Sequence, residues 1–221
     1  MPGSYRRADD LPLVIPVFPL DGALLLPGGQ LPLNIFEPRY LNMFDDAMSG
    51  ERIIGMVQTR PGGDVERPNL APVGCAGRVT SFAETSDGRY LVTLTGVCRF
   101  RVGDELPARG PYRQVRADFT AFEADLREGA PDSATAGDPS SLLDALRRYL
   151  DHRGLAIDWS SAEAAPSDAL INSLAMALPF EPVEKQALLE APTLTDRRDT
   201  LVALLEIDAA AGDDEDPTMI Q

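Results

Sequence analysis

Between Tyr90 and Val102 the chain alternates. Tyr90, Val92, Leu94, Gly96, Cys98, Phe100 and Val102 hold the even positions, while Thr93, Thr95, Arg99 and Arg101 are among the odd ones. A period of two predicts a strand with one wet face, and it puts both arginines on that face. Ser86-Asp-Gly-Arg89 just before it is a hairpin signal, because Asp-Gly supplies the positive φ values of a type I′ turn. Val73, Cys75, Gly77 and Val79 then share one face of the partner strand. Leu13–Phe18 and Ile53–Val57 are further short apolar runs, and Pro16 marks the first as an edge or a bend. Val115–Phe119 alternates again. Many short strands punctuated by Pro and Gly predict a small barrel or sandwich.

One helix interrupts this half. Pro38 fits a first turn, Tyr40, Leu41, Phe44, Ala47 and Met48 form a stripe, and Gly50 ends it. Residues 127–140 are polar and rich in Pro and Gly, and they read as a linker. Beyond them the period turns helical. Leu142, Leu143, Leu146, Tyr149 and Leu150 make one stripe, stopped by Gly154. Ser167 is the expected cap of a second, carrying Leu170, Ile171, Leu174, Ala177 and Leu178, with Pro179 and Pro182 breaking it. A short helix from Val183 to Glu190 follows. Thr195 is the expected cap of a last one with Leu201, Leu204 and Leu205. The fold class is therefore α+β. The expected divisions are an extension over 1–10, a β unit over 11–126, the linker 127–140, a helical unit over 141–207 and an acidic disordered tail over 208–221.

Composition narrows the function more than the fold. The 221 residues are 44% hydrophobic and 25% charged, enough to bury a core without staples. Two cysteines are too few for a secreted disulfide scaffold. No signal core or apolar run of spanning length is present, which predicts a cytoplasmic chain with no membrane partner. The net charge of −15 is uneven: residues 1–120 hold 14 acids and 13 bases, and residues 121–221 hold 21 and 7. An acidic second half repels phosphate and the first offers no basic stripe, so nucleic acid is not an expected partner.

The chemistry of turnover is missing. His152 is the only histidine and falls at the end of a predicted helix, where a cation suits the dipole. That excludes a multi-histidine metal site. Lys185, the only lysine, lies beside Glu184 and reads as a solvated charge rather than a desolvated nucleophile. No phosphate-cradling G-x-x-x-x-G-K-[ST] loop occurs. Cys75 and Cys98 sit among apolar residues on inward faces, where thiols are inert. Asp213–Asp216 lacks the spacing of a calcium loop. No enzyme activity and no cofactor is expected.

Three stretches carry a resemblance. Ile15-Pro-Val-Phe-Pro-Leu20 with Leu26-Pro-Gly-Gly-Gln-Leu-Pro-Leu-Asn-Ile-Phe-Glu-Pro-Arg-Tyr40 resembles the opening of the Lon-protease N-terminal domain. Ala71–Val79 and Asp87–Phe100 are similar to its central hairpin, and Ile171–Pro179, Glu184–Glu190 and Thr195–Arg198 to its helical half. The resemblance implies a PUA-like β pseudo-barrel joined to a C-terminal helical bundle. It also implies recognition of unfolded or tagged polypeptides, in a stand-alone bacterial member lacking the ATPase and protease domains. Such a module would be an adaptor in proteolysis or quality control, partnered by a protease or chaperone. A small-ligand regulatory pocket is the alternative, although Trp159, the only tryptophan, falls in a predicted interhelical loop and suggests no aromatic cage. Candidate polypeptide contacts are Phe36, Arg39 and Tyr40, as aromatic surface with a fork donor, and Met176, Phe180 and Pro182, as an adaptable apolar patch. The plainer reading puts Phe36 and Tyr40 in the core and pairs Glu37 with Arg39.

Overall fold

The computed structural model describes residues 5–64, 67–107, 110–127 and 140–213, with side chains as far as Ala210. Eight strands form two sheets: β1 Val14–Pro19, β2 Gln30–Ile35, β3 Ile53–Val57, β4 Thr59–Asp64, β5 Arg67–Leu70, β6 Val73–Glu84, β7 Tyr90–Glu105 and β8 Arg113–Asp118. Six of them run in the order β2-β7-β6-β3-β1-β8, and β8 pairs back onto β7. The strands β7, β6, β3, β1 and β8 therefore close a ring. Closure is made by the length of β7. Its Tyr90–Thr95 half pairs with β2, and further on Arg101, Val102 and Glu105 pair with β8. Between the two partners Gly96 exchanges backbone hydrogen bonds with Gly28 and Gly29, at 2.9 and 2.8 Å. The loop between β1 and β2 can dock there only because no Cβ meets the Leu26 carbonyl.

The alternation read along β7 changes phase at an extra residue opposite Ala76 and Gly77, so Val92 and Leu94 share one face while Cys98 and Phe100 share the other. Val92, Leu94, Cys98 and Phe100 are buried, but so is Arg99. Its face is not wet because helices cover it. The expected hairpin also forms, but around a longer loop: the Thr85 N–H donates to the Arg89 carbonyl at 2.9 Å, and only Gly88 in it has positive φ. A type I′ turn would need two such residues in succession.

The sheet buries both faces. Ile15, Val17, Ile53, Cys98, Phe100, Val115 and Ala117 fill the ring. Ile54, Met56, Val73, Cys75, Val79, Val92 and Leu94 face outward onto a second cluster, made with Leu24–Leu26 and the helices. Every residue of β3 is buried for this reason, with Ile53 and Val57 facing one way and Ile54 and Met56 the other.

The helices are α1 Pro38–Ser49, α2 Ser140–Arg153, α3 Trp159–Ala164, α4 Ser167–Ala177, α5 Pro182–Glu190 and α6 Leu194–Asp213. Pro38 opens α1 as expected, and its buried stripe is Tyr40, Met43, Phe44 and Ala47. Gly154, with φ of 62°, follows α2. α3 was not expected. Asp158 caps it by accepting from the N–H groups of Ser160 and Ser161, so Trp159 opens a helix instead of lying in a loop. Pro166 rather than Ser167 occupies the cap position of α4. Thr193, not Thr195, caps α6: its hydroxyl accepts from Asp196 N–H at 3.1 Å while the Asp196 carboxylate accepts back from Thr193 N–H. α6 also continues past Ile207 to Asp213, and its Asp208 pairs with Arg153, so the acidic tail does not begin at 208. Residues 214–221, and 128–139 of the expected linker, lie outside the described residues. No described helix is long and apolar enough to cross a membrane.

Candidate functional site

Because β1 and β3 are parallel and β8 is antiparallel to β1, the ends of β1 and β3, the start of β8 and the end of β7 all reach one mouth of the ring. A cleft of about 350 Å³ opens there, lined by Pro19, Arg39, Tyr40, Thr59, Arg67, Pro68, Glu105, Leu106, Gly110, Pro111, Tyr112 and Arg113. Seven segments supply it. Its size is at the lower end of small-ligand sites, which run to roughly 300–1,000 Å³.

The floor is ionic. Arg113 forks Glu105 through Nε and Nη2, at 2.9 and 2.7 Å, and gives Nη1 to the Pro68 carbonyl at 2.7 Å. Arg67 reaches the same carboxylate at 2.7 Å. Hydrogen bonding from Arg113, with further help from both arginine charges and the Arg67 bond, holds the Glu105 carboxyl below its ordinary range. Tyr112 donates to Asp46 at 2.6 Å, and burial together with that bond pushes its hydroxyl up to about 12. Arg39 lies 4.7 Å over the Tyr40 ring and pairs with Glu37 at 2.9 Å. The mouth is thus a set of fixed donors beside apolar walls. Among the described residues it shows no nucleophile–base pair, and they contain no cluster of His, Cys, Asp and Glu that could hold a metal ion.

A second polar assembly lies at the seam between ring and helices. Arg99 is 5% exposed. It forks Asp125 through Nε and Nη2, both at 2.9 Å, and spends Nη1 on the carbonyls of Leu189 and Ala191 at 3.1 and 2.6 Å. Those carbonyls end α5. Arg197 donates to a third, Leu188, at 2.9 Å, and to the Asn172 side chain. Two guanidiniums thereby satisfy a helix C-terminus whose carbonyls would otherwise be buried unpaired. Burial, and then the neighbouring Arg99, bring Arg197 down to about 10. Lys185 is also buried, at 6% exposure, and donates to the carbonyls of Gly22 and Met176 at 2.8 and 3.3 Å. Its expected role as a solvated surface charge is therefore corrected: it ties the β1–β2 loop to the end of α4. Burial lowers its pKa. Burial likewise pushes both the Cys75 and Cys98 thiols up.

The six candidate contacts do not form one patch. Arg39 and Tyr40 line the cleft. Tyr40 is largely buried at 7% and packs at a tilt against Phe18, ring centroids 4.2 Å apart, and the Glu37–Arg39 pair forms as the plainer reading had it. Phe36 is not core. It is 62% exposed, with Arg89 at 5.9 Å from its ring, and it lies outside the cleft lining. Phe180 is buried at 8%, while Met176 and Pro182 are half-buried. Met176 sits over Gly29, on the helix-covered side. Arg67, Glu105, Tyr112 and Arg113 were not foreseen, since they come together only when β5, β7 and β8 do.

A closed strand ring clasped by helices, with a donor-rich mouth, defines a class of α+β domain. The chain belongs to the family described as the ATP-dependent protease La (LON) substrate-binding domain, whose model matches residues 14–206. It is 31% identical over 120 residues to Lon protease 2 of Myxococcus xanthus, covering 53% of this chain and 14% of that protein. Lon protease of Flavobacterium johnsoniae is 26% identical over 204 residues, covering 86% of this chain and 23% of that protein. The chain thus spans less than a quarter of the length of these curated relatives. Among solved structures, a Lon N-terminal domain protein from Xanthomonas campestris superposes with a TM-score of 0.61 at 24% identity, covering 86% of this chain and 97% of the other. The N-terminal domain of Mycobacterium avium complex Lon protease gives 0.60 at 16% identity, covering 87% and 97%. At such identities the two structures establish the fold alone.

Proposed function

We propose that this protein is a non-catalytic polypeptide-recognition module that presents clients to a protease or chaperone as an adaptor. One observation carries the reading: the match to a substrate-binding family runs from residue 14 to 206 and includes the strands and loops that build the cleft. In this reading the ring is the PUA-like pseudo-barrel and α2 to α6 are its helical bundle. Arg39 and Tyr40 offer the client a fork donor and an aromatic wall, and Arg67 and Arg113 extend the donor set. Phe36 adds an exposed ring beyond the mouth. Met176, Phe180 and Pro182 support the helical side and stay out of the contact.

The test is retention of a chemically unfolded client on the immobilised protein, at modest salt and without nucleotide. Capture of the unfolded form over its native form supports the module. No retention of either form sinks it. The cleft's volume also favours a second reading, a small-ligand site, which would show as a ligand-induced melting shift with no client retained.

A further inference from the structure

We infer that the mouth of the ring recognises polypeptides through a carboxylate, either a chain's C-terminal group or an acidic side chain. The inference rests on the polypeptide-binding reading and names the chemistry it selects. Among the described residues three arginines, Arg39, Arg67 and Arg113, line the cleft, against one lining carboxylate, Glu105. Glu37, outside the lining, pairs with Arg39, and the five groups together still carry a positive charge. Of the described acids beside the mouth, Asp46 accepts from Tyr112, and Asp21 accepts from the Thr59 N–H and hydroxyl. This local excess of cations sits on a chain of net charge −15, so it is not a by-product of basic composition.

The donors are also held in place. Glu105 and the Pro68 carbonyl fix the Arg113 guanidinium on three of its nitrogens. Among the described residues Arg67 donates through Nη2 alone, and Arg39 through Nε and Nη2 alone. Nη1 of both, and Nε of Arg67, are left to meet a ligand. Their planar forks match a carboxylate in geometry and charge. Pro19, Pro68 and Pro111 bring no N–H to the mouth, and Tyr40 and Tyr112 stand as walls for the flanking residue.

Fluorescence anisotropy on the full chain tests this with three labelled decapeptides of one apolar-aromatic sequence. One ends in a free carboxylate, one in an amide, and one in an amide with an internal Asp. At least one carboxylate peptide is expected to bind about tenfold more tightly than the neutral amide. Which one does so distinguishes a terminal from a side-chain source. Arg67→Gln, with Arg39→Gln as an independent second variant, should shrink the gap to about threefold or less while circular dichroism melting stays unchanged. Equal binding of all three peptides, with an unfolded client still retained, overturns the carboxylate inference and leaves the module standing. Discrimination that survives both variants moves the site elsewhere and overturns it too. If neither peptide nor client binds, the polypeptide reading fails and this inference falls with it.

Discussion

Removing the Asp125 carboxylate should unlock the helices from the ring. Asp125 and Arg99 have side-chain exposures of only 9% and 6%. The carboxylate accepts three bonds from one residue: the Arg99 N–H at 3.0 Å, and Nε and Nη2 at 2.9 Å each. In Asp125→Leu the guanidinium keeps two carbonyls and the Phe122 ring, 4.7 Å away, but has no counter-charge. An uncompensated buried charge of this kind costs about 3–5 kcal/mol. At roughly 2–4 °C per kcal/mol for a domain of this size, Tm should fall by about 6–20 °C. Arg99→Met should cost at least as much, because it strands Asp125 and two α5 carbonyls together. The double variant removes both charges, so its loss should fall short of the summed single losses by about 2 kcal/mol or more. Equilibrium urea unfolding of all four proteins, at unchanged m-value, measures this directly. Single losses below about 1 kcal/mol, or losses that add to within about 0.5 kcal/mol, would refute the latch.

Other expectations follow from the same geometry. Lys185→Met keeps the apolar stem but strands the carbonyls of Gly22 and Met176, and urea unfolding should show a loss of about 1–3 kcal/mol. Because burial lowers the Lys185 pKa in the native state, the unfolded chain binds the proton more tightly. Wild-type stability should therefore climb as pH rises from the native pKa towards about 10.4, and the variant should lose that climb. Glu105→Gln should cost about 1.5–3 kcal/mol near neutrality. The depressed native pKa makes the Glu105 contribution full above about pH 4.3, and it should vanish as pH falls through the native value, so the two unfolding curves converge in acid. Gly74→Ala would put a Cβ 2.7 Å from the Met56 carbonyl and 2.9 Å from the Phe100 ring, and should lower stability by about 1–3 kcal/mol in thermal melts.

Much of the fold is written locally, and those parts are legible. The period-two run of β7 and the Asp-Gly at its start identify a hairpin whatever surrounds them. Pro38 opens α1, and the leucine stripe of α2 ends before Gly154. What escapes is local but quiet, or not local at all. Thr193-Leu-Thr195 and Asp196 hide the α6 cap, because the residue three before an acid is Thr193 while Thr195 lies nearer the apolar run. Asp158 with serines two and three residues on is an equally short cap signal, and α3 has only six residues to announce itself. β4 and β5 offer no apolar alternation at all: they form an exposed two-stranded ribbon in which five of the six β4 residues are exposed. Lys185 had a readable cue, since Leu188 and Leu189 follow at three and four residues and place it on the buried stripe of α5.

Arg99 and Arg197 had none, and the reason is physical. A buried cation is recognisable in sequence when its partner is an acid at a predictable spacing, as along one helix. Here Asp125 is 26 residues from Arg99, and the remaining acceptors, 90 and 92 residues away, are main-chain carbonyls that every residue type carries. Carbonyls at the end of a helix become demanding only when something covers them, and that is decided by how α5 docks on the ring. The cleft obeys the same logic, since Arg113 anchors on the carbonyl of Pro68 and on a Glu105 brought alongside by closure of β8 onto β7. Alternation placed Arg99 on a wet face because a pattern of side chains takes no account of backbone acceptors. The fold uses that backbone as its main set of acceptors for buried cations.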